Sequence, residues 1–312
     1  MSRYLVTGSA GFVGSHLVET LLDSGHEVIG IDAFTDYYAR ELKEANAARA
    51  RARPGCSFLE LDLAEADLTG VVADVDGVFH LAAQPGVRGS WGATFAVYVR
   101  DNILATQRVL EAAAQAGVRV VQASSSSVYG NAEAYPTRED ARPRPVSPYG
   151  VSKVACESLA QAYSESLGLD VVSLRYFTVY GPRQRPDMAF SRIVGSLLNG
   201  KAFDLFGTGE QSRDFTYVDD AVAATVMAMT GAPESRVYNV GGGSETTLAE
   251  VIATCERLSG KRLDVRRGPA SAGDVRRTAA DTTLIRSQLG WKPATPLEDG
   301  LRSQLAAGAE VT

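Results

Sequence analysis

Tyr4-Leu5-Val6-Thr7-Gly8-Ser9-Ala10-Gly11-Phe12-Val13-Gly14 decides the fold. An apolar run of strand length meets three evenly spaced glycines, and residues 12–24 then carry apolar side chains at helical spacing. Glycine at a strand-to-helix turn permits a tight bend, lets backbone N–H groups approach a pyrophosphate, and allows the helix to pack on the sheet. Glycines also close ordinary turns. Here the setting adds an acid, Asp32, at the end of a second apolar run and 18 residues beyond Gly14.

Outward from this turn, short apolar runs at 28–31, 57–61, 77–80, 118–124 and 171–175 alternate with helical patterns at 94–116 and 148–167. Alternating strands and helices imply parallel pairing through right-handed crossovers, hence an α/β fold with a doubly wound parallel sheet of Rossmann type. After Gly181 loops rich in Gly, Pro, Arg and Asp separate helices expected at 189–199, 218–229, 248–258 and 282–289. We therefore expect a cofactor domain over residues 1–180, to which some later segments return, and a smaller substrate lobe over 181–312. Residues 45–53, rich in alanine and arginine, read as a solvated helix or loop without chemistry.

The chain's 312 residues exceed what one core usually serves, which agrees with two lobes. Hydrophobic residues at 45% and charged residues at 22% describe an ordinary globular protein. A net charge of -6 offers no general basic surface, so nucleic acid is not an expected partner. Cys56, Cys156 and Cys255 are few and far apart, suggesting neither a disulfide framework nor a metal site. Met1-Ser2-Arg3 runs straight into the first strand, and no apolar run reaches membrane-spanning length. The expected compartment is the cytoplasm, with no membrane partner.

Gly8, Gly11, Phe12, Val13 and Gly14 are the expected contacts of a dinucleotide's pyrophosphate. The Asp32 carboxylate suits both ribose hydroxyls and repels a 2′-phosphate, which favours NAD over NADP. Asp62, followed by Leu63, either faces the adenine edge or caps a helix N-terminus.

Tyr149 and Lys153 stand at i and i+4 on one predicted helix and project from the same face. A free phenol titrates near pH 10 (about 10), so it serves as a base at neutral pH only beside a positive charge, which Lys153 and a nicotinium ring supply. Ser124-Ser125-Ser126-Ser127 begins where an apolar strand stops, at the carboxyl edge where open parallel sheets bind ligands.

With these parts together the chain resembles the extended short-chain dehydrogenase/reductase family, the nucleotide-sugar epimerases and dehydratases, from Tyr4 to about Leu289. The resemblance implies Ser125, Tyr149 and Lys153 as the catalytic trio. It also places His80-Leu81-Ala82-Ala83 and Asn102 near NAD, with Tyr176 beside the nicotinamide. Dehydratases of the family carry Asp-Glu where Ser126 and Ser127 stand, and decarboxylases usually carry glutamate at the position of Ser127. Neither acid is present.

Arg175-Tyr176-Phe177-Thr178-Val179-Tyr180-Gly181-Pro182-Arg183-Gln184-Arg185-Pro186-Asp187 resembles the UDP-glucuronate 4-epimerases, as do Asp36-Tyr37-Tyr38 and Pro85-Gly86-Val87-Arg88. Oxidising C4 of a glucuronate makes a ketone β to the carboxylate, and such acids lose carbon dioxide readily. Charge-assisted bonds from Arg185, helped by Thr178 or Ser127, are expected to hold that carboxylate, unless Arg185 is a plain surface residue. Arg88 reaches either the carboxylate or the pyrophosphate. Gly207-Thr208-Gly209-Glu210-Gln211-Ser212-Arg213 resembles the family's diphosphate segment. There Arg213 is the implied pyrophosphate ligand, and Asp274 either binds a ribose or orients Arg213, unless the two make ordinary ion pairs between the lobes. The implied activity is NAD-dependent C4 epimerisation of UDP-glucuronate to UDP-galacturonate by a homodimer. Rival readings are a UDP-glucuronate decarboxylase, a 4-epimerase of a neutral UDP-hexose, and a catalytically silent NAD-binding regulator.

Overall fold

A computed structural model describes residues 1–269 and 272–311. Six strands alternate with crossover segments through the first half: β1 (Arg3–Thr7), β2 (Glu27–Asp32), β3 (Cys56–Glu60), β4 (Gly77–His80), β5 (Arg119–Ser125) and β6 (Val171–Tyr176). They pair in parallel in the order β3-β2-β1-β4-β5-β6, and Val237–Val240 adds a seventh strand beside β6. In β4 all four residues are buried, and in β6 the first five are. Burial on both faces explains why these strands read as continuous apolar runs instead of alternating ones.

One face of the sheet carries α1 (Phe12–Asp23), which packs against the helix Val218–Thr230. The other carries Ala105–Ala116 against Pro148–Leu167. The latter helix begins as its sequence directs: Ser147 accepts a hydrogen bond from the Gly150 N–H at 3.1 Å, and Pro148 occupies the first turn. The predicted helix over 94–116 contains an irregularity. Its segment Val99–Leu104 is wound as a π-helix between Phe95–Tyr98 and Ala105–Ala116, turning Asn102 into the interior.

Val237–Val240 pairs with β6, and side chains of Val218–Thr230 and Val237–Val240 share one core with α1 and β6. The remaining C-terminal elements form a lobe over the carboxyl edge of the sheet. It contains the helices Ala189–Asn199, Leu248–Ser259 and Leu297–Val311, with Phe203–Phe206 paired to Val265–Gly268 and Ser212–Asp214 to Glu245–Thr247. Residues 45–53 lie mostly within a longer helix, Arg40–Arg51, which buries Lys43, Ala47 and Ala50 instead of being solvated all round. Among the described residues no helix is long and apolar enough to cross a membrane.

Candidate active site

A cleft of about 590 Å³ follows the carboxyl ends of β1, β2, β4, β5 and β6 and continues under the C-terminal lobe. Its place, where strand order reverses between β1 and β4, is the crevice in which doubly wound sheets bind ligands. Its volume suits a small-molecule site.

At one end stand Gly8, Gly11, Phe12, Val13 and Gly14. The turn admits no larger residues. Gly8 has φ +69°, and a Cβ there would lie 2.8 Å from the Ala82 nitrogen; a Cβ on Gly14 would lie 2.0 Å from the Gly8 carbonyl oxygen. The first turn of α1 has neither a side-chain cap nor an acidic residue, so its backbone N–H groups are left for an anion such as a diphosphate. Asp32 closes this end. Its Oδ2 accepts from the Ala10 N–H at 3.0 Å and its Oδ1 from Phe34 at 2.9 Å, while burial pushes its carboxyl above the usual range. Each oxygen keeps a further lone pair for a ribose hydroxyl. The fit to a dinucleotide is good.

Asp62 and Leu63 also line this end. Asp62 is engaged locally, accepting from the Ala64 N–H at 2.9 Å and pairing with Arg100. The sequence missed Lys43. This buried ammonium lines the cleft, donates to the Thr35 hydroxyl at 3.1 Å and lies 4.7 Å from the centre of the Tyr38 ring, with burial drawing its pKa down. Nothing in the alanine- and arginine-rich stretch around it marks its position.

Tyr149, Lys153, Ser125, Ser126 and Ser127 line the middle of the cleft, together with Leu81, Ala82, Ala83, Tyr176 and Thr178. Lys153 is buried and donates to the Ala123 carbonyl at 2.8 Å. Ser125 accepts from the Ser127 N–H at 3.1 Å, which turns the chain sharply off β5. Tyr149 meets Tyr98 edge to face at 6.2 Å. Burial pushes the Tyr176 phenol up to about 12, which suits a packing role beside a ring and not proton transfer.

Asn102 does not line the cleft but stands behind it. Its carboxamide is consumed by the Gln84 N–H at 2.6 Å, the Gln84 carbonyl at 3.1 Å and Ser152 Oγ at 2.9 Å, and Ser152 in turn donates to the Tyr149 carbonyl at 2.7 Å. It therefore ties the Gln84 loop to the first turn of the Tyr149 helix. A second buried network backs the serines. Arg175 grips Glu157 at 2.7 Å, Ser124 donates to Glu157 at 2.5 Å, and Arg175 donates to Tyr129 Oη at 2.7 Å. Glu157 lies one helical turn beyond Lys153, so the network joins the ends of β5 and β6 to the helix that carries the reacting pair.

The wall also includes Arg88, Asp274, Arg192, Phe206 and Gln211, and Arg185 with Asp187 beside Tyr37. Asp274 pairs with Arg88 at 2.7 Å and not with Arg213, while Arg88 lies 4.3 Å from the centre of the Phe206 ring. Arg213 is off the wall. Its Nη1 and Nη2 donate to the Ser212 and Val275 carbonyls at 2.8 and 2.6 Å. Sequence reasoning missed Arg192, which bonds the Asp204 carbonyl at 3.1 Å. Arg185 itself lies on the wall, held by Asp187. Its loop is pinned to α1, where Arg183 pairs with Glu19 at 2.8 Å and His16 bonds the Pro182 carbonyl at 3.0 Å.

A model of the NAD dependent epimerase/dehydratase family matches residues 4–241. The Bacillus subtilis (strain 168) protein named uncharacterized UDP-glucose epimerase YtcB is 42% identical over 308 residues, covering 97% of each chain. The probable UDP-glucuronate 4-epimerase of Rhizobium meliloti (strain 1021) is 36% identical over 323 residues, 96% of this chain and 94% of that one. Among solved structures, UDP-glucuronic acid 4-epimerase from Bacillus cereus in complex with UDP-glucuronic acid and NAD superposes with a TM-score of 0.95 at 39% identity. The match covers 99% of this chain and 100% of that one.

Proposed function

The chain belongs to the NAD dependent epimerase/dehydratase family, and from that membership we infer that it is a UDP-glucuronate 4-epimerase, interconverting UDP-glucuronate and UDP-galacturonate. One observation carries the substrate. Arg185 shares a single cleft with Tyr149 and with Ser126 and Ser127, which stand where acids would promote dehydration or decarboxylation.

Bound NAD would supply a reversible hydride acceptor for C4 of the sugar, so the overall reaction is an isomerisation. The Gly8–Gly14 turn holds the diphosphate and Asp32 the adenosine ribose. Tyr149 accepts the proton of the C4 hydroxyl, Ser125 shares that proton through its own hydroxyl, and the Lys153 ammonium stabilises the phenolate. Thr178, Ser127 and Arg185 hold the C6 carboxylate, keeping the C5–C6 bond out of line with the C4 carbonyl π system. The 4-keto sugar turns over within the cleft, and Tyr149 returns its proton as the opposite face of C4 is reduced. Arg88 and Arg192, on the wall beside Phe206, take the UDP end.

A second reading, epimerisation of a neutral UDP-hexose, is favoured by the Bacillus subtilis relative's name and by the Asp187 counter-charge on Arg185. An Arg185→Ala variant separates the two. Loss of about tenfold or more in kcat/KM with UDP-glucuronate is expected, and unchanged turnover contradicts the carboxylate reading. We assign the protein to the cytoplasm as a homodimer. Support for the dimer comes from the exposed apolar side chains Val97, Val99 and Leu104 on one helix and Val151 on its neighbour.

A further inference from the structure

Asp36-Tyr37-Tyr38 has no part in the chemistry above, yet Tyr37 and Tyr38 line the cleft beside Arg185. Arg185 bonds Asp187 through Nε to Oδ1 and through Nη2 to Oδ2, both at 3.0 Å. Tyr37 Oη donates to Asp187 Oδ2 at 3.3 Å. Gly86, at φ +99°, makes room for this phenol, since a Cβ there would lie 2.5 Å from Tyr37 Oη.

We propose that Asp187, steadied by Tyr37, is a positioning residue that fixes the Arg185 guanidinium by one edge so that its other edge meets the sugar carboxylate and keeps carbon dioxide from leaving. The inference rests on the epimerase reading. A guanidinium is a planar fork with two paired-donor edges, Nε with Nη2 and Nη1 with Nη2. Asp187 occupies the first. Among the described residues Nη1 has no acceptor, so the second edge remains for a carboxylate. Because the group is rigid, a two-point bond on one edge sets the direction of the other. Burial works against the Arg185 charge, but Asp187 above all, with Tyr37 and Tyr149, outweighs it and leaves the pKa above its ordinary value, which agrees with a cation held near the reacting phenol. Asp187 also spares the enclosed cleft an unpaired cation between turnovers.

The reaction at stake is specific. In the 4-keto intermediate the C5–C6 electron pair can pass to C5 and the C4 carbonyl, releasing carbon dioxide and leaving an enolate. A proton added at C5 and return to C4 of the hydride taken at the start then give a UDP-pentose, with no net change of redox state. Whether this happens depends on how firmly the carboxylate is held out of the aligned geometry.

The test measures product partition, epimer against UDP-pentose, for wild type, Asp187→Asn, Asp187→Glu and Tyr37→Phe. Affinity for UDP, measured by calorimetry, reports intact folding and nucleotide binding. Asp187→Asn cannot accept two guanidinium bonds, and Asp187→Glu keeps the charge but moves it. Each Asp187 variant is expected to raise the pentose share about fivefold or more while UDP affinity stays within about twofold, with Tyr37→Phe between them and wild type. An unchanged partition in variants that bind UDP normally overturns the proposal alone, and Tyr37→Phe decides the matter if the Asp187 variants do not fold. A wild type that makes no epimer overturns the epimerase reading as well.

Discussion

At the scale of single residues, the proposed mechanism sets Tyr149 the most exacting task, since it routes proton transfer to and from the C4 hydroxyl through that phenol. Tyr149→Phe removes that oxygen and leaves the edge-to-face packing on Tyr98 intact. Turnover is expected to fall about 10²–10⁴-fold, the usual weight of a positioned acid-base group, with NAD binding retained in a calorimetric titration. Tyr149 and Lys153 were legible because helical spacing alone places them on one face. Arg213 shows what spacing cannot convey. Its charge suits a diphosphate, yet two of its five N–H donors go to the Ser212 and Val275 carbonyls, and Arg88 and Arg192 line the cleft where Arg213 does not. Long side chains choose partners by tertiary contact, and no local pattern records that choice.

At the scale of elements, β4 ends on His80, which is buried between two hydroxyls. Its Nδ1 lies 2.8 Å from Thr7 Oγ1 and its Nε2 lies 3.0 Å from Thr106 Oγ1, while Thr7 Oγ1 also accepts from the Ala82 N–H at 3.2 Å. These contacts bind the ends of β1 and β4 to the helix Ala105–Ala116 and set the start of Leu81-Ala82-Ala83. Burial lowers the His80 pKa to about 3, so the folded protein holds a neutral ring while the unfolded chain titrates near the ordinary 6.5. Stability from this group is fully present above about pH 6.5 and is lost as pH falls towards 3. Urea unfolding across pH 4 to 7 should show a wild-type loss of up to about 1.4 kcal/mol per pH unit that His80→Gln lacks. Parallel slopes in the two proteins would contradict a buried neutral histidine.

The first six strands and the Pro148–Leu167 helix could be read from the chain because short apolar runs alternate with segments whose apolar residues recur at helical spacing. Val237–Val240 could not. Four residues in a loop-rich stretch carry too little periodicity, and only pairing with β6 makes them a strand. The helix Leu297–Val311 was hidden for a related reason, since its alanine-rich stripe is weakly apolar until it packs against Ala189–Asn199 and Leu248–Ser259.

At the scale of the whole molecule, the proposed function assigns a generic oxidising site to the sheet and the choice of substrate to the C-terminal segments. In the proposed reading the glycine turn and Asp32 serve the cofactor and the Tyr149 helix the proton, while Arg185, Asp187, Arg88 and Arg192 line the cleft from segments beyond Gly181 or from the loop after β4. The two halves are joined through one core and through Arg183 and His16, which pin the Arg185 loop onto α1. A carboxylate grip fixed to the helix that opens the diphosphate turn suits an enzyme that must oxidise a sugar beside its acid group without losing carbon. The decisive measurement is NMR of the sugar nucleotide after incubation of the protein with UDP-glucuronate and NAD. Equilibration with UDP-galacturonate is the predicted result; accumulation of a UDP-pentose, or unchanged UDP-glucuronate, would contradict the account.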